Sequence, residues 1–228
     1  MKLSIQKNGL ALAGFAGICT LVVSVVNYLT IDTIAEQKQR VLMQSLNELL
    51  PAQSYNNNLA ADCTLMVDKS RLGSDKPQRI FRARMDDKPV AAVIETTAPD
   101  GYSGSIELMM AVKLDGTISG VRTLSHKETP GLGDKIEVRK SDWIFSFNEQ
   151  KVESESDARF AVKKDNGMFD QFTGATITPR AVVKAVKNTA LYFADNQGQI
   201  FAQAANCEPS SSSEQDIKQA NQQGANNE

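Results

Sequence analysis

Asp170-Gln171-Phe172-Thr173-Gly174-Ala175-Thr176-Ile177-Thr178 is a run of small and hydroxylated residues leading into a helical pattern. Those residue types suit a phosphate. Gly174 and Ala175 let the backbone approach an anion closely, and the hydroxyls of Thr173, Thr176 and Thr178 can donate to it. A helix N-terminus adds a favourable field for negative charge. The same residues also read as a plain capped helix start, with Thr178 as N-cap and Pro179 at the first helical position. A second run, His126-Lys127-Glu128-Thr129-Pro130-Gly131-Leu132-Gly133, turns at its Pro-Gly pair and offers an acid, a hydroxyl and an apolar side chain. Gly101-Tyr102-Ser103-Gly104 is a third small turn, carrying an aromatic ring.

Other chemistries are poorly supplied. Three Cys and one His leave little material for a zinc or iron–sulfur site. The 25 Lys and Arg nearly balance 27 Asp and Glu, for a net charge of −2, so the basic footprint of a nucleic-acid binder is missing. A charged fraction of 23% is ordinary for a folded chain and excludes wholesale disorder.

Holding three loops together needs a folded domain, and 228 residues provide one of about 150 with something appended at each end. The first appendage is apolar. From Asn8 to Ile31 there is no charge, with Lys2 and Lys7 before the run and Asp32 after it. A helix of that length spans a bilayer core of about 30 Å, and the positive flank places the N-terminus in the cytoplasm and the domain outside. A cleaved signal peptide is the alternative, but Val25-Val26-Asn27-Tyr28-Leu29 lacks a small-x-small cleavage pattern. A retained anchor over 9–30 is the reading, after a cytoplasmic 1–8. Cys19 then sits in lipid, leaving Cys63 and Cys207 as the exported cysteines. An oxidising compartment favours a disulfide between them over two unrelated thiols. Beyond Cys207 the chain is Ser-, Gln- and Asn-rich with Ile217 as its one large apolar residue, so 208–228 is expected to be disordered.

Between those ends, Ile34–Leu50 has helical spacing closed by Pro51, and 31–62 is read as a helical stalk and linker. Strand-like runs fall at 63–67, 79–85 and 89–97. The clearest pair, 105–114 and 117–124, is joined by Asp115-Gly116, a strong hairpin signal. A short helix is expected over 134–144, another strand over 158–163, and a helix over 179–194 with Val182, Val183, Val186, Ala190, Leu191 and Phe193 as its buried stripe. Strands first and helices packed on them make an α+β domain over 63–207.

The string Asp-x-x-Thr-Gly-Ala-Thr at 170–176 resembles the flavinylation motif of the FMN-binding domain family. Glu128-Thr129-Pro130-Gly131-Leu132-Gly133 resembles that family's flavin-lining loop, and the Gly101–Gly104 turn matches a third element. With the anchor and the spacing, residues 1–207 resemble the RnfG (RsxG) family, a component of the Rnf-type electron-transport complexes that are also called Rsx. The Gly-Ala-Thr motif is shared with the C component of the sodium-translocating NADH:quinone reductase, usually a longer chain. That component and a non-redox exported scaffold stand as the alternatives.

The resemblance implies a single N-terminal transmembrane helix and one FMN-binding domain with a mainly antiparallel, curved sheet and packed helices. It implies that a flavin transferase splits FAD and joins FMN through its phosphate to Thr176. Asp170 would help the transferase hold its substrate, its other reading being a turn acid. Thr173, Gly174 and Ala175 would give close backbone approach, Glu128 and Thr129 polar contacts to the ring edge, and Leu132 an apolar contact to its face. Tyr102 would stack on the ring, and Lys163 or Lys164 could neutralise a reduced flavin or simply serve solubility. No residue is assigned a catalytic role or a metal. The implied partners are membrane subunits A, D and E and redox subunits B and C, in a complex of the bacterial inner membrane. That complex couples ferredoxin–NAD exchange to sodium or proton translocation, with the domain on its periplasmic side.

Overall fold

Asp115-Gly116 turns the chain between strands β4 (Ile106–Lys113) and β5 (Ile118–Ser125), with the Asp115 carboxylate accepting the Thr117 N–H at 2.9 Å. In the computed structural model, which describes residues 2–207, three further strands precede this hairpin. They are β1 (Cys63–Asp68), β2 (Ser74–Met85) and β3 (Lys88–Ala98), and the five form an antiparallel meander in chain order. Register shifts in three of the four pairings mark bulges, which bend and twist the sheet. Among the described residues the α-helices are α1 (Lys2–Leu49) and α2 (Ile177–Ala202). The expected tail, 208–228, lies outside the described residues.

Helix α2 lies across β3 and β4 on one face of the sheet. Its Val182, Val183, Val186, Ala190 and Phe193 meet Ala92, Ile94, Leu108, Met110 and Val112 in a single core. Each Val, Leu, Ile, Met or Phe side chain among them contributes about 1.5–3 kcal/mol on burial. The opposite face is covered as well: Phe81, Ala83, Val93, Met109 and Ala111 are at most 2% exposed. Its cover comes from residues the sequence assigns to a stalk and linker. Leu46, Leu49, Leu50 and Leu59 are buried. Leu49 reaches to 3.0 Å from where a Gly120 Cβ would stand, and Gly120 pairs with Ala111. Glu48 bridges Arg122 on β5, whose guanidinium holds the Glu48 carboxyl below its ordinary pKa, and Asn57 bonds Arg82 and Arg84 on β2. Burial on both faces explains why Leu108-Met109-Met110-Ala111-Val112 is continuously apolar rather than alternating.

The chain divides into two units between Leu42 and Met43, so the linker expected over 31–62 is in part domain. In α1, residues Lys7–Thr30 have a mean hydropathy of 2.3, long and apolar enough to cross a membrane once. Two local expectations fail. The helix expected over 134–144 is a pair of 3₁₀ turns, Gly133–Ile136 and Asp142–Phe147. Ser141, extended, separates them because its side chain accepts the Trp143 N–H. The strand expected over 158–163 is a loop. Phe160 and Val162 do point inward, but Val162 only bridges Phe169, because the chain folds back through Asn166 and Gly167.

Candidate functional site

Four segments meet at the N-terminal end of α2. They are the 101–104 turn, the 126–133 loop, the first residues of α2, and the 170–176 loop. The last of these is hung from the core at its beginning: Trp143 donates its indole N–H to the Asp170 carbonyl at 2.7 Å and packs edge-on to Phe172, 5.1 Å between centroids. Phe172 to Ala175 then closes a turn, with the Ala175 N–H on the Phe172 carbonyl at 3.1 Å and Gly174 at φ +80°, a conformation that a side chain would strain. The turn delivers Thr176 to the wall of a cleft of about 290 Å³.

The cleft gathers Glu128, Thr129, Leu132 and Gly133 from one side, Gly174–Thr178 from the other, and Tyr102 at its edge. Tyr102, Leu132 and Ile177 are large apolar side chains left 67%, 41% and 46% exposed around it. An apolar rim over a floor of small residues, hydroxyls and a helix N-terminus fits a flat aromatic ring with a phosphate tail. At Gly174 a Cβ would meet only Leu132, at 3.5 Å, so the cradle is open where backbone would approach such a phosphate. The residues present therefore fit FMN. Two larger clefts, about 380 and about 490 Å³, lie elsewhere. The first is lined by cations already engaged, Arg180 with Asp165 and Lys184 with Asp100.

Of the residues expected at the site, Thr176, Gly174, Ala175, Glu128, Thr129, Leu132 and Tyr102 come together at this cleft. Thr173 is exposed on the turn, outside the lining. Lys164 is exposed and makes its contact through its backbone N–H, to Gln171, while Lys163 pairs with Asp170 at 2.6 Å. Neither lysine faces the cleft. Asp170 is on the surface, 68% exposed, where another protein can reach it.

Thr178 corrects the expected helix start. Helix α2 begins at Ile177 with Thr176 in the N-cap position, and Thr178 is fully buried inside the first turn. Its hydroxyl donates to Glu128, whose other oxygen accepts the Ser103 N–H at 3.0 Å. The Thr-Pro pair resembles a cap, but this tertiary bond draws one more turn's beginning into the helix. Glu128 is 4% exposed, and each of its oxygens accepts a hydrogen bond from the protein. Its N–H donates to the His126 ring at 3.1 Å, and that ring contacts Glu137 at 2.8 Å, which fixes the loop. Ser103, Ile177 and Trp143 escape sequence reasoning as site residues. A turn donor, a rim residue and a core tryptophan carry no signal of their own.

Two family models match the chain. Residues 101–190 match the FMN-binding domain family, a span that begins at the Gly101 turn and contains all three loops. Residues 1–49 match the RnfG N-terminal region. A solved structure, NqrC of Shewanella oneidensis, superposes with a TM-score of 0.45 at 24% identity, covering 67% of this chain and 74% of that one. The G subunit of the ion-translocating oxidoreductase complex of Shewanella baltica is 52% identical over 208 residues, 91% of this chain and 98% of that protein. The G subunit of Pseudoalteromonas atlantica is 52% identical over 207 residues, 91% and 96% of the two chains. On that likeness over nearly its whole length, the chain belongs to the G-subunit family of the ion-translocating oxidoreductase complex.

Proposed function

We propose that this protein is the membrane-anchored flavoprotein subunit of an Rnf-type complex, carrying electrons through FMN joined by its phosphate to Thr176. The observation that carries the reading is the state of that hydroxyl. Thr176 stands at the N-cap position of α2 with a helical backbone, so its hydroxyl makes no cap hydrogen bond and lines the cleft instead. FMN, when bound, supplies reversible electron transfer.

The residues of the chain bind, orient and shelter. Gly174 and Ala175 present backbone to the phosphate, and the α2 N-terminus offsets its charge. Tyr102, Leu132 and Ile177 provide apolar surface for the ring. Thr176 is a weak nucleophile by itself, so a flavin transferase with its metal must activate it. The hydroxyl attacks the FMN phosphorus of FAD: an Oγ–P bond forms, the pyrophosphate link breaks, AMP leaves and the hydroxyl proton is released. Exposed Asp170 is the handle by which the transferase holds the segment. A covalent link suits a domain on the periplasmic side of the inner membrane, where free FMN is scarce. The α1 segment anchors it beside membrane subunits A, D and E and redox subunits B and C. Through them, ferredoxin–NAD exchange is coupled to ion movement.

The test is Thr176→Ala in protein coexpressed with the transferase, read by peptide mass spectrometry and in-gel flavin fluorescence. Covalent FMN is expected to disappear from this variant and to remain in Thr173→Ala. FMN on the Thr176→Ala peptide would sink the assignment. A wild type without fluorescence would favour a non-redox scaffold.

A further inference from the structure

Helix α2 starts without the capping bond its own sequence offers. Thr176 occupies the N-cap position with a helical backbone, φ −80° and ψ −26°, rather than the extended one from which a threonine caps; it makes no cap bond, and no acidic residue stands in the first turn. A helix that begins this way leaves orphan N–H groups and an uncompensated positive end. The compensation arrives from 50 residues away. Glu128, buried at the cleft, places its carboxylate at this helix end and takes the hydroxyl of Thr178 on one oxygen. Its other oxygen is held by the Ser103 N–H.

The surroundings are cut to fit that carboxylate. A Cβ on Gly101 would stand 2.2 Å from the Gly104 carbonyl of its own turn and 3.0 Å from one oxygen, and a Cβ on Gly133 would stand 2.9 Å from the other and 2.8 Å from the Thr178 hydroxyl. Three separate sequence elements thus converge on one buried acid: the Gly101–Gly104 turn, the loop ending in Gly133, and the helix start. A lone capped helix would require none of this.

We propose that Glu128 and Thr178 form a buried clamp that holds the start of α2, Thr176 included, in its helical conformation and so keeps the Thr176 hydroxyl free and fixed at the cleft wall for attachment of the flavin phosphate. Glu128 is then a positioning residue. It acts through Thr178, two residues along the same helical turn from the acceptor. Without the clamp, residue 176 is free to relax to the extended backbone of a true N-cap, from which a threonine side chain bonds the orphan first-turn N–H groups. That withdraws the hydroxyl from the cleft. The inference rests on Thr176 being the attachment site.

Two measurements separate the clamp from that assignment. The first uses flavin-free protein and follows hydrogen exchange over residues 172–180 in wild type, Thr178→Val, Thr178→Ser and Glu128→Gln. Loss of a hydrogen bond to a charged group should speed exchange there roughly tenfold in Thr178→Val and Glu128→Gln, while strands β3 and β4 stay protected and so report an intact fold. Thr178→Ser, which keeps the hydroxyl, should behave as wild type. The second follows covalent FMN by intact mass after addition of transferase and FAD. Attachment should slow roughly tenfold in the first two variants and recover in Thr178→Ser. Wild-type attachment rates in Thr178→Val, or unchanged exchange, would overturn the clamp. Flavin retained in Thr176→Ala would overturn the attachment site instead, with the exchange data still judging the clamp by itself.

Discussion

The two ends of helix α2 are held in opposite ways. At its C-terminal end, buried Arg82 donates to the Ile200 carbonyl at 3.1 Å and to that of Gln203, and Arg84 donates to the Phe201 carbonyl at 3.1 Å. Both arginines pair with Asp62, so the helix's orphan carbonyls meet fixed positive charge. Just beyond, Asn206 accepts the Leu65 N–H at 2.7 Å, and Cys207 is joined to Cys63 with 5.4 Å between their Cα atoms. At the N-terminal end there is a buried carboxylate, an idle cap hydroxyl and an exposed loop. The contrast shows where redundancy is placed: the N-terminal end is fixed through one buried carboxylate, and the far end by several independent ties.

Removing ties at the C-terminal end should therefore cost most. Arg82→Met leaves Asp62 short of a partner and two carbonyls unpaired, and is expected to lower stability by about 3–5 kcal/mol in urea denaturation. An unshifted midpoint would break the contrast at its strongest point. Cys207→Ser opens a link spanning 144 residues, with an expected loss of about 2–4 kcal/mol by thermal melting under oxidising conditions. Reductant should reproduce the loss in wild type and change nothing further in the variant.

Acid sharpens the comparison from the other side. Near the N-terminal half of α2, Lys187 bonds the Asp157 carbonyl, and hydrogen bonds from Arg159 hold the Asp157 carboxyl far below the ordinary carboxylate range. Its folded-state pKa is depressed, so the stabilisation is complete at neutral pH and is lost as pH falls below about 4. The melting temperature should drop on acidification, and less steeply in Asp157→Asn. The smallest effect is expected for Thr176→Ala, under about 1 kcal/mol, because no cap bond exists to lose. A larger loss in the flavin-free protein would mean that the hydroxyl is engaged after all.

Legibility in the sequence tracks locality. The Asp115-Gly116 hairpin, the stripe of α2 and the 170–176 loop depend on neighbours in the chain, and reading them needs only composition and spacing. Thr178 reads as a cap because a Thr-Pro pair is a good local one, while its actual partner, Glu128, is 50 residues distant. The alternation of Phe160 and Val162 is real, yet whether such a run pairs as a strand is decided by what lies beside it. Asp134–Ile144 has enough apolar residues for a helix, but the Ser141 side chain offers the backbone a competing bond. Least legible is the role of Leu46, Leu49 and Leu50, whose spacing says helix, and of Leu59, alone in a polar stretch; neither pattern speaks of a sheet face waiting for cover.

That cover turns residues 43–62 into a matter of colloidal behaviour. A polypeptide cut immediately before Cys63 would keep every residue of the cleft but bare Phe81, Val93 and Met109 to water. An uninterrupted apolar face on a pleated sheet invites self-association. A water-soluble form of the domain must bring this second lid along, beginning no later than Met43.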